Sequence, residues 1–563
     1  MFMRNMRKEM IEQLEQEFDI VIIGGGITGV GAARDAAYRG LKVALIEMED
    51  LAFGTSSRSS KLVHGGLRYL ENLEFSLVFE AVSERKVLME IAPHLVLPLG
   101  FLFPVYSSSR RSVFTVSLGM WVYDALSLFR SPKLHRNLSS SDVAKEEPFL
   151  RREGLKGAPL YYDCSTDDAR LTLETAIDAA KHGAVVATYV QVEDFLYDKD
   201  GLICGVQVYD RIAQEHLKVR SKVVINATGP WSDRTRNLNE GTQTKAINSL
   251  RPTKGVHIVV NSDRLKTEHA VVCFHPDDGR VLFAIPWGDQ TYIGTTDTDY
   301  LEDPSDVAAT KEDVLYLLEA SNHYFPDSNL TQKDVISTWA GVRPLVSEQT
   351  EGGEASESSV SREHSIRKDP DGLISIAGGK LTTYRRMGTE VVEYALHMLS
   401  GKNTSNNGQP KTDKKALPGA ENWPKTDSVE QSRQVLVKET QKRAGQSLSQ
   451  KSAEKLVEIY GTRALQISDF IAQDPSLAQP LSPHRPEVLA QVDFSVSEEL
   501  ASSVRDVLIR RTQIFFRASD QGLGCCDAVA QRMGKLLSWS PERIAMEIQA
   551  YTDEVDRSRR WRL

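Results

Sequence analysis

One stretch near the start of the chain, residues 18–47, constrains the fold more than any other. It reads FDIVIIGGGITGVGAARDAAYRGLKVALIE, which predicts a buried strand, a glycine turn, a helix and a second strand. Gly24, Gly26 and Gly29 have the G-x-G-x-x-G spacing: the first permits a tight turn, the second admits a pyrophosphate and the third lets helix and strand pack closely. Gly40 is placed to end the helix. The stretch therefore predicts a site for the ADP half of a dinucleotide.

Glu47 restricts which dinucleotide can bind. It lies at the end of the second predicted strand, 23 residues after Gly24, where a carboxylate accepts hydrogen bonds from both hydroxyls of an adenosine ribose. A carboxylate at this place disfavours a 2′-phosphate, so NADP is not expected, whereas FAD and NAD both remain open on this stretch alone.

Length and composition set broad limits. A chain of 563 residues is too long for one core, so roughly two or three domains are expected. The formal net charge of −9 argues against a general nucleic-acid binder. The five cysteines show neither metal-ligand spacing nor a disulfide framework, which predicts no metal site and a reducing, cytoplasmic compartment. The charged residues 1–18 predict neither a signal peptide nor a membrane span.

The most apolar long stretch is residues 112–129. It contains Asp124 and is bordered by Arg110, Arg111 and Arg130, so a buried or interfacial helix is a better interpretation than a transmembrane one.

Two later glycine turns also follow buried strands. KVVINATGPW (222–231) and GLISIAGGKLTTYRR (372–386) each join an apolar run to a turn suited to close backbone contact with a cofactor. Before the first of these two turns, segments 185–190, 192–197, 202–209 and 216–220 predict an antiparallel meander. Between the two turns, 251–299 is again rich in strands. Distant pieces of chain therefore return to one cofactor. This resembles FAD-dependent oxidoreductases of the D-amino-acid-oxidase type more than NAD dehydrogenases, whose Rossmann domain is usually contiguous.

Charged and titratable side chains stand beside these turns. His64 and Arg68 flank two glycines after a loop rich in Ser and Thr, and Lys380 lies in the third glycine turn. Arg343 lies in the apolar extended segment VISTWAGVRPL and needs an anionic partner, either a structural carboxylate or a ligand.

Seven segments in this order resemble the FAD-dependent glycerol-3-phosphate dehydrogenases, the aerobic type that passes electrons to quinone. They are GGGITGVGAARDAAYRGLKVALIE, TSSRSSKLVHGGLRYLE, INATGPW, KGVHIVV, IPWGDQTYIGTTD, GVRPL and GGKLTTYR. The resemblance is dense from Asp19 to Gly388 and continues through DVLIRRTQIFF.

The resemblance implies an α/β fold in three parts. A discontinuous Rossmann-type FAD-binding domain would comprise residues 1–105, 160–250 and 346–400, and an antiparallel-sheet substrate-binding domain 106–159 and 251–345. A linker, 401–415, would lead to an all-α C-terminal domain, 416–563.

The resemblance also assigns site residues. FAD would be held by Gly24, Gly25, Gly26, Ile27, Thr28, Gly29, Glu47, Thr55, Ser56, Ser57, Ser59, Ser60, His64, Gly65, Gly66, Ala227, Thr228, Gly229, Gly378, Gly379, Lys380, Leu381 and Thr382. The substrate would be surrounded by His64, Arg68, Tyr69, His257, Arg343, Arg362 and Lys380.

These residue types suit oxidation of sn-glycerol 3-phosphate at C2. Arg68 and Arg362 are candidates for binding the phosphate. Arg343 and Lys380 can stabilise the oxygen at C2, and Lys380 can also favour anionic reduced flavin. His64 or His257 would be the base for the hydroxyl proton, and the sequence does not decide between them.

Three functions remain open from the sequence. The first is a quinone-linked dehydrogenase that makes dihydroxyacetone phosphate, the second an oxidase that reduces O₂ to peroxide, and the third a flavin-containing binding or regulatory protein. The first requires contact with the inner face of the cytoplasmic membrane, for which Arg110–Arg136 and the basic tail Arg557–Leu563 are the candidates. The oligomeric state is left open, a homodimer included.

Overall fold

The computed structural model describes residues 4–66, 74–128, 131–238, 250–346, 364–400 and 411–563. Its strands, in chain order, are β1 (Glu17–Ile23), β2 (Val43–Glu47), β3 (Leu62–Val63), β4 (Leu97–Leu102), β5 (Val105–Tyr106), β6 (Arg136–Ser139), β7 (Leu155–Ser165), β8 (Val185–Thr188), β9 (Val190–Tyr197), β10 (Ile203–Asp210), β11 (Glu215–Asn226), β12 (Leu250–Asn261), β13 (Ala270–Phe274), β14 (Val281–Trp287), β15 (Gln290–Gly294), β16 (Thr298–Asp299), β17 (Val335–Val346), β18 (His364–Lys368) and β19 (Ile374–Gly378).

The helices lie between these strands and beyond them. They are α1 (Arg4–Gln13), α2 (Ile27–Tyr38), α3 (Phe75–Ile91), α4 (Val113–Leu126), α5 (Ser140–Glu146), α6 (Asp168–Lys181), α7 (Ser232–Arg236), α8 (Lys311–Tyr324), α9 (Tyr384–Ser400), α10 (Val429–Ala444), α11 (Gln450–Tyr460), α12 (Ala464–Gln473), α13 (Ala490–Glu498), α14 (Ile514–Arg517), α15 (Leu523–Leu537) and α16 (Pro541–Ser558). None of these described helices is both long and apolar enough to cross a bilayer.

The first sheet carries the glycine turns. Its strand order is β18-β19-β11-β1-β2-β8, with β1, β2, β8, β11 and β19 parallel to their neighbours in this core. The core strands are buried on both faces because helices cover them. On one such face Gly388 of α9 lies so close to α2 that a Cβ atom would meet the Gly31 carbonyl carbon at 2.5 Å. Gly40, with a φ of +76°, follows α2 and ends it as predicted.

The predicted meander is partly wrong. Segment 185–190 does not join it: β8 pairs with β2 in parallel register, Leu45 opposite Val186. The antiparallel part is β9-β10-β11, and β11 is one long strand, so segments 216–220 and 222–226 are continuous. Its first half pairs with β10 and its second half with β1. Alternation within each segment could not show that a run of chain changes partner halfway.

The second sheet is largely antiparallel and has the order β16-β12-β15-β14-β13-β4-β7-β3, with β17 beside β12 and β5 and β6 beside β7. Strands β12 and β17 pair along nearly their whole length, with His257 opposite Trp339 and Thr253 opposite Arg343. Two of the predicted active-site side chains, those of His257 and Arg343, therefore stand on neighbouring strands.

The two sheets can be compared with the proposed domains, although they do not test the proposed bounds. Residues 97–105 and 160–165, which the sequence grouped with the FAD-binding pieces, contain β4, the start of β5 and the end of β7, and these strands belong to the second sheet. Beyond residue 411 the chain is helical, with its own apolar cluster of α10–α13. The fold class is confirmed. The three-part division itself stays a proposal.

Candidate active site

The first glycine turn has the geometry that a dinucleotide needs. Gly24 has a φ of +110°, and a Cβ atom there would lie 2.7 Å from the carbonyl oxygen of Ala227 in the second turn. A Cβ atom at Gly29 would overlap the Gly24 carbonyl oxygen. Because these contacts leave no room for a side chain, the turn closes tightly and the first residues of α2 approach the cavity.

Glu47 lies beside this turn at the end of β2. Its carboxylate accepts hydrogen bonds from the backbone N–H of Gly25 (2.6 Å) and of Glu49 (2.8 Å). Burial raises the pKa of Glu47 to about 7, although these two hydrogen bonds oppose the shift. The carboxylate therefore joins the strand end to the glycine turn at the place where the ribose is expected.

A long cavity connects all three glycine turns. Its empty volume is about 1470 Å³, including space open to solvent. The predicted cofactor residues that line it are Gly24, Gly26, Ile27, Thr28, Glu47, Thr55, Ser56, Ser59, Ala227, Thr228, Gly229, Gly378, Gly379, Lys380 and Leu381. The second and third turns come to it because β11 lies beside β1, β19 lies beside β11, and all three strands run in the same direction. A dinucleotide with a flavin at one end fits a cavity bounded by these turns.

Eight predicted cofactor residues do not line this cavity, and the structure gives most of them other contacts. Gly25 donates to Glu47, Gly29 serves packing, and Ser57 borders a different cavity. The remaining five are Ser60, His64, Gly65, Gly66 and Thr382. Thr382 Oγ1 lies 3.1 Å from the His64 N–H and 3.2 Å from its carbonyl oxygen, so this threonine holds the His64 backbone in place.

Several cavity residues were missed from the sequence, among them Met48, Gln191, Trp231 and Pro344. Trp231 belongs to the segment INATGPW, but nothing in that segment indicated that its ring lines the cavity. Its ring covers Gly54, where a Cβ atom would lie 2.9 Å from the indole. No sequence signal marks Gln191, which lies in β9 just after β8, the strand that pairs with β2.

The ring of His257 is enclosed on two sides and lies next to residues 55–60, which we call the serine loop. Its ring stacks on Trp339 with centroids 4.7 Å apart, and a Cβ atom at Gly294 would overlap it from the other side. Its Nε2 is 2.9 Å from Ser60 Oγ. Burial, together with the positive charges of Arg343 and Lys61, lowers the pKa of His257 well below its usual range. The imidazole is therefore neutral at physiological pH.

The serine loop itself is fixed by a buried ion pair. Lys61 Nζ is 2.6 Å from Asp168 Oδ1, and both side chains are buried. The other oxygen of Asp168 accepts hydrogen bonds from the N–H (3.0 Å) and the hydroxyl (2.7 Å) of Ser59. Tyr292 adds a hydrogen bond of 2.9 Å to the carbonyl oxygen of Ser60. The loop is thus rigid where it separates the cavity from His257.

Arg343 is half-buried and held in a fixed direction. Its Nη1 donates to Asp297 Oδ1 (2.8 Å) and its Nη2 to Thr295 Oγ1 (3.2 Å). The structural carboxylate that the sequence allowed for is therefore present. Arg343 Nη2 also donates to the carbonyl oxygen of Thr296 (3.3 Å), so several partners hold the guanidinium at once.

Three predicted substrate residues, Arg68, Tyr69 and Arg362, lie outside the described residues. His257 and Arg343 are brought together from β12 and β17, and His64 and Lys380 stand on turns joined through Thr382. The roles of all these residues, and the expectation that no metal takes part, stay predictions.

The profile of the family described as "FAD dependent oxidoreductase" matches residues 19–385, which cover both sheets and the cavity. A second profile, "C-terminal domain of alpha-glycerophosphate oxidase", matches residues 410–544. Together with the glycine turns and the cavity, the first match defines the class of protein as an FAD-dependent oxidoreductase.

Individual relatives narrow this class. The chain is 37% identical over 545 residues to the aerobic glycerol-3-phosphate dehydrogenase of Staphylococcus aureus (strain USA300), which covers 96% of this chain and 94% of that protein. The crystal structure of the glycerol-3-phosphate dehydrogenase from Bacillus halodurans complexed with FAD matches with a TM-score of 0.81 at 32% identity, over 99% of this chain and 98% of that one. The chain belongs to the aerobic glycerol-3-phosphate dehydrogenase family.

A more distant structure shares only the fold. The L-alpha-glycerophosphate oxidase of Mycoplasma pneumoniae, reduced with dithionite and with FAD bound, has a TM-score of 0.53 at 18% identity, over 72% of this chain and 99% of that one.

Proposed function

We propose that this protein oxidises sn-glycerol 3-phosphate to dihydroxyacetone phosphate, transfers a hydride from C2 to FAD and passes the electrons to a membrane quinone. The observation that carries the proposal is the placement of His257 and Arg343 on paired strands behind the serine loop of the cofactor cavity. This placement occurs in a chain 37% identical over most of its length to an aerobic glycerol-3-phosphate dehydrogenase.

The substrate is an anion, and the described residues offer a fixed cation for it. Arg343 is already oriented by Asp297 and Thr295, so its positive charge is pre-organised to stabilise negative charge on the oxygen at C2. Lys380, which lines the cavity, adds a second positive charge. Arg68 and Arg362 remain the proposed ligands of the phosphate.

Oxidation of the C2 alcohol also needs a group that takes the hydroxyl proton. His257 is neutral, so it can accept a proton, and the Ser60 hydroxyl at its Nε2 offers a route by which a proton reaches it. His64 is the alternative base, and its backbone is fixed beside Lys380 by Thr382. Bound FAD supplies the acceptor for the hydride.

A quinone acceptor requires a surface that reaches the bilayer, and α4 offers one. This helix exposes Phe114, Leu118 and Trp121, whose exposed fractions are 78%, 56% and 54%. Arg110 and Arg111 are exposed just before it, and Lys133 and Arg136 after it. An exposed apolar helix face flanked by basic residues is typical of proteins that lie on an anionic membrane. The proposed membrane contact is therefore at α4.

The C-terminal tail, the second candidate for the membrane contact, packs against the rest of the protein. Trp561 is only 2% exposed and belongs to the apolar cluster beneath the second sheet. Arg560 forms an ion pair of 3.0 Å with Asp306, and Arg562 donates to the carbonyl oxygen of Val335. These contacts favour α4 over the tail as the proposed membrane contact.

The acceptor is tested by reoxidation. Holoenzyme is first reduced anaerobically with glycerol 3-phosphate and then mixed in parallel with oxygenated buffer and with a soluble ubiquinone or menaquinone analogue. We expect the quinone to restore the oxidised flavin spectrum much faster than O₂ does. Reoxidation by O₂ at the rate of turnover, with stoichiometric peroxide, would instead make the protein an oxidase.

A further inference from the structure

A second cavity lies apart from the glycine turns, where three parts of the chain meet. Its empty volume is about 670 Å³, including space open to solvent. One wall is the loop before and after Thr55, with Phe53 and Arg58. The opposite wall comes from the C-terminal region, with Arg505, Phe516 and Glu554. Of its lining residues only Phe53 also lines the long cofactor cavity, so the two cavities are distinct.

The charges around this cavity do not balance. Arg58, Arg505 and Arg557 all act on one carboxylate, that of Glu554, whose pKa they lower although burial alone would raise it. Arg557 uses both oxygens of Glu554, at 2.5 and 2.6 Å. No carboxylate within the described ranges forms an ion pair with Arg58 or Arg505. Glu49, the other carboxylate of the lining, forms an ion pair with Arg211, so neither lining carboxylate is paired with Arg58 or Arg505.

Arg58 carries the mark of a cation that lacks an anion. Its guanidinium lies over the Phe53 ring, 5.4 Å from the centroid. Burial lowers the pKa of Arg58 to about 10, with Arg557 and Arg510 acting in the same direction and Glu554 against it. Burying an unpaired charge is costly, and a guanidinium recovers this cost most effectively with an oxyanion.

We propose that this cavity is a second anion-binding site, separate from the substrate site. Its ligand is an organic oxyanion, a phosphate or a carboxylate, whose acidic group pairs with Arg58 and Arg505. The body of the ligand is apolar and packs among Phe53, Phe515 and Phe516, which line the same cavity. The walls of the cavity come from the serine loop and from the C-terminal region, so a bound anion would connect these two parts of the protein.

The test is calorimetric titration of oxidised, FAD-loaded protein with phenyl phosphate, benzoate and neutral benzyl alcohol. We expect saturable binding of phenyl phosphate or of benzoate, with benzyl alcohol binding more weakly than the preferred anion. Arg58→Gln and Arg505→Gln should each weaken binding by about tenfold or more, since each removes a charge-assisted hydrogen bond. Arg152→Gln, an exposed arginine outside the cavity, is the matched control and should bind as the wild type does.

Two further measurements separate this site from the others. Arg343→Ala should bind the preferred anion unchanged, because Arg343 does not line this cavity. Arg505→Gln should keep its FAD content and its rate of flavin reduction by glycerol 3-phosphate. Arg58 belongs to the serine loop, so Arg58→Gln is checked for flavin content. The proposal would be overturned if the wild type bound no anion, if both cavity variants bound the anion as tightly as the wild type does, or if benzyl alcohol bound as tightly as the preferred anion.

Discussion

At the residue scale, Glu47 combines a structural and a ligand-binding role. Its two hydrogen bonds to backbone N–H groups fix the glycine turn, and the same carboxylate lines the cavity where the ribose is expected. The pKa of Glu47, raised to about 7 by burial, means that the apoprotein keeps this carboxyl protonated in mildly acidic solution. An ionised carboxylate is the better acceptor for ribose hydroxyls.

FAD affinity should therefore depend on pH. Below the folded pKa of about 7, a bound proton must leave before the carboxylate can accept both hydroxyls, so the affinity should fall by up to about tenfold per pH unit. Titration of apoprotein with FAD at pH 6 and pH 8 measures this. Glu47→Gln should bind more weakly and show a flatter profile. A wild-type affinity that is equal at both pH values would show that Glu47 does not titrate with binding.

The local sequence pattern predicted the positions of the cofactor residues, but not always the directions of their side chains. Gly24, Gly29 and Glu47 follow from local geometry, since a glycine turn between strand and helix admits few arrangements. Ser60 and Thr382 also lie in turns, yet they contact His257 and the His64 backbone rather than the cavity. The direction of a side chain in a loop depends on distant partners such as β12, which the spacing of residues does not encode.

At the element scale, α4 is a helix that exposes large apolar side chains on one of its sides. Val116, Met120 and Tyr123 are buried on one side, and Phe114, Leu118 and Trp121 are exposed on the other. The sequence predicted a buried or interfacial helix here, and α4 shows both properties at once. Composition could not say which side chains face outward, because apolar residues occur on every side of this helix.

Binding to anionic liposomes should depend on this helix. We expect the wild type to float with vesicles that contain phosphatidylglycerol and the double variant Leu118→Ser, Trp121→Ser to remain largely in solution, because it loses most of the exposed apolar area. Leu301→Ser is the control, since Leu301 is 91% exposed and lies on another element. Equal flotation of the wild type and the double variant would place the membrane contact elsewhere.

At the scale of the whole molecule, the C-terminal region holds the cofactor domain by buried charges. Arg510 and Arg511 reach Asp50, three residues after Glu47, at 2.5 and 2.8 Å. These arginines lower the pKa of Asp50 against the effect of its burial. The sequence predicted no catalytic group beyond residue 416. It could not predict the stabilising role of this C-terminal region either, because the partners are 460 residues apart in the sequence.

The same interface contains a histidine that should limit stability in acid. His94 is fully buried beside Gly419, and neither ring nitrogen has a hydrogen-bond partner among the described residues. Burial, reinforced by Arg170, Arg433 and Arg463, lowers its pKa to about 3. Below about pH 6.5 only the unfolded chain binds the proton, so the free energy of unfolding should fall by about 1.4 kcal/mol per pH unit.

Thermal unfolding at pH 7.5 and pH 5.5 tests this effect. The loss of stability between the two pH values should be smaller in His94→Leu than in the wild type. His216→Leu, at an exposed histidine, should behave as the wild type does. An identical loss in wild type and His94→Leu would mean that another group governs the acid response.

The central claim is that glycerol 3-phosphate reduces the flavin at a site organised by Arg343. Stopped-flow absorbance of the anaerobic holoenzyme measures this step without any electron acceptor. We predict rapid bleaching of the flavin in the wild type and a rate lower by about 10² to 10³ in Arg343→Ala at unchanged FAD content, because a fixed positive charge at the reacting oxygen is lost. Flavin that stays oxidised in the wild type, or bleaching by Arg343→Ala at a near-normal rate, would contradict the account.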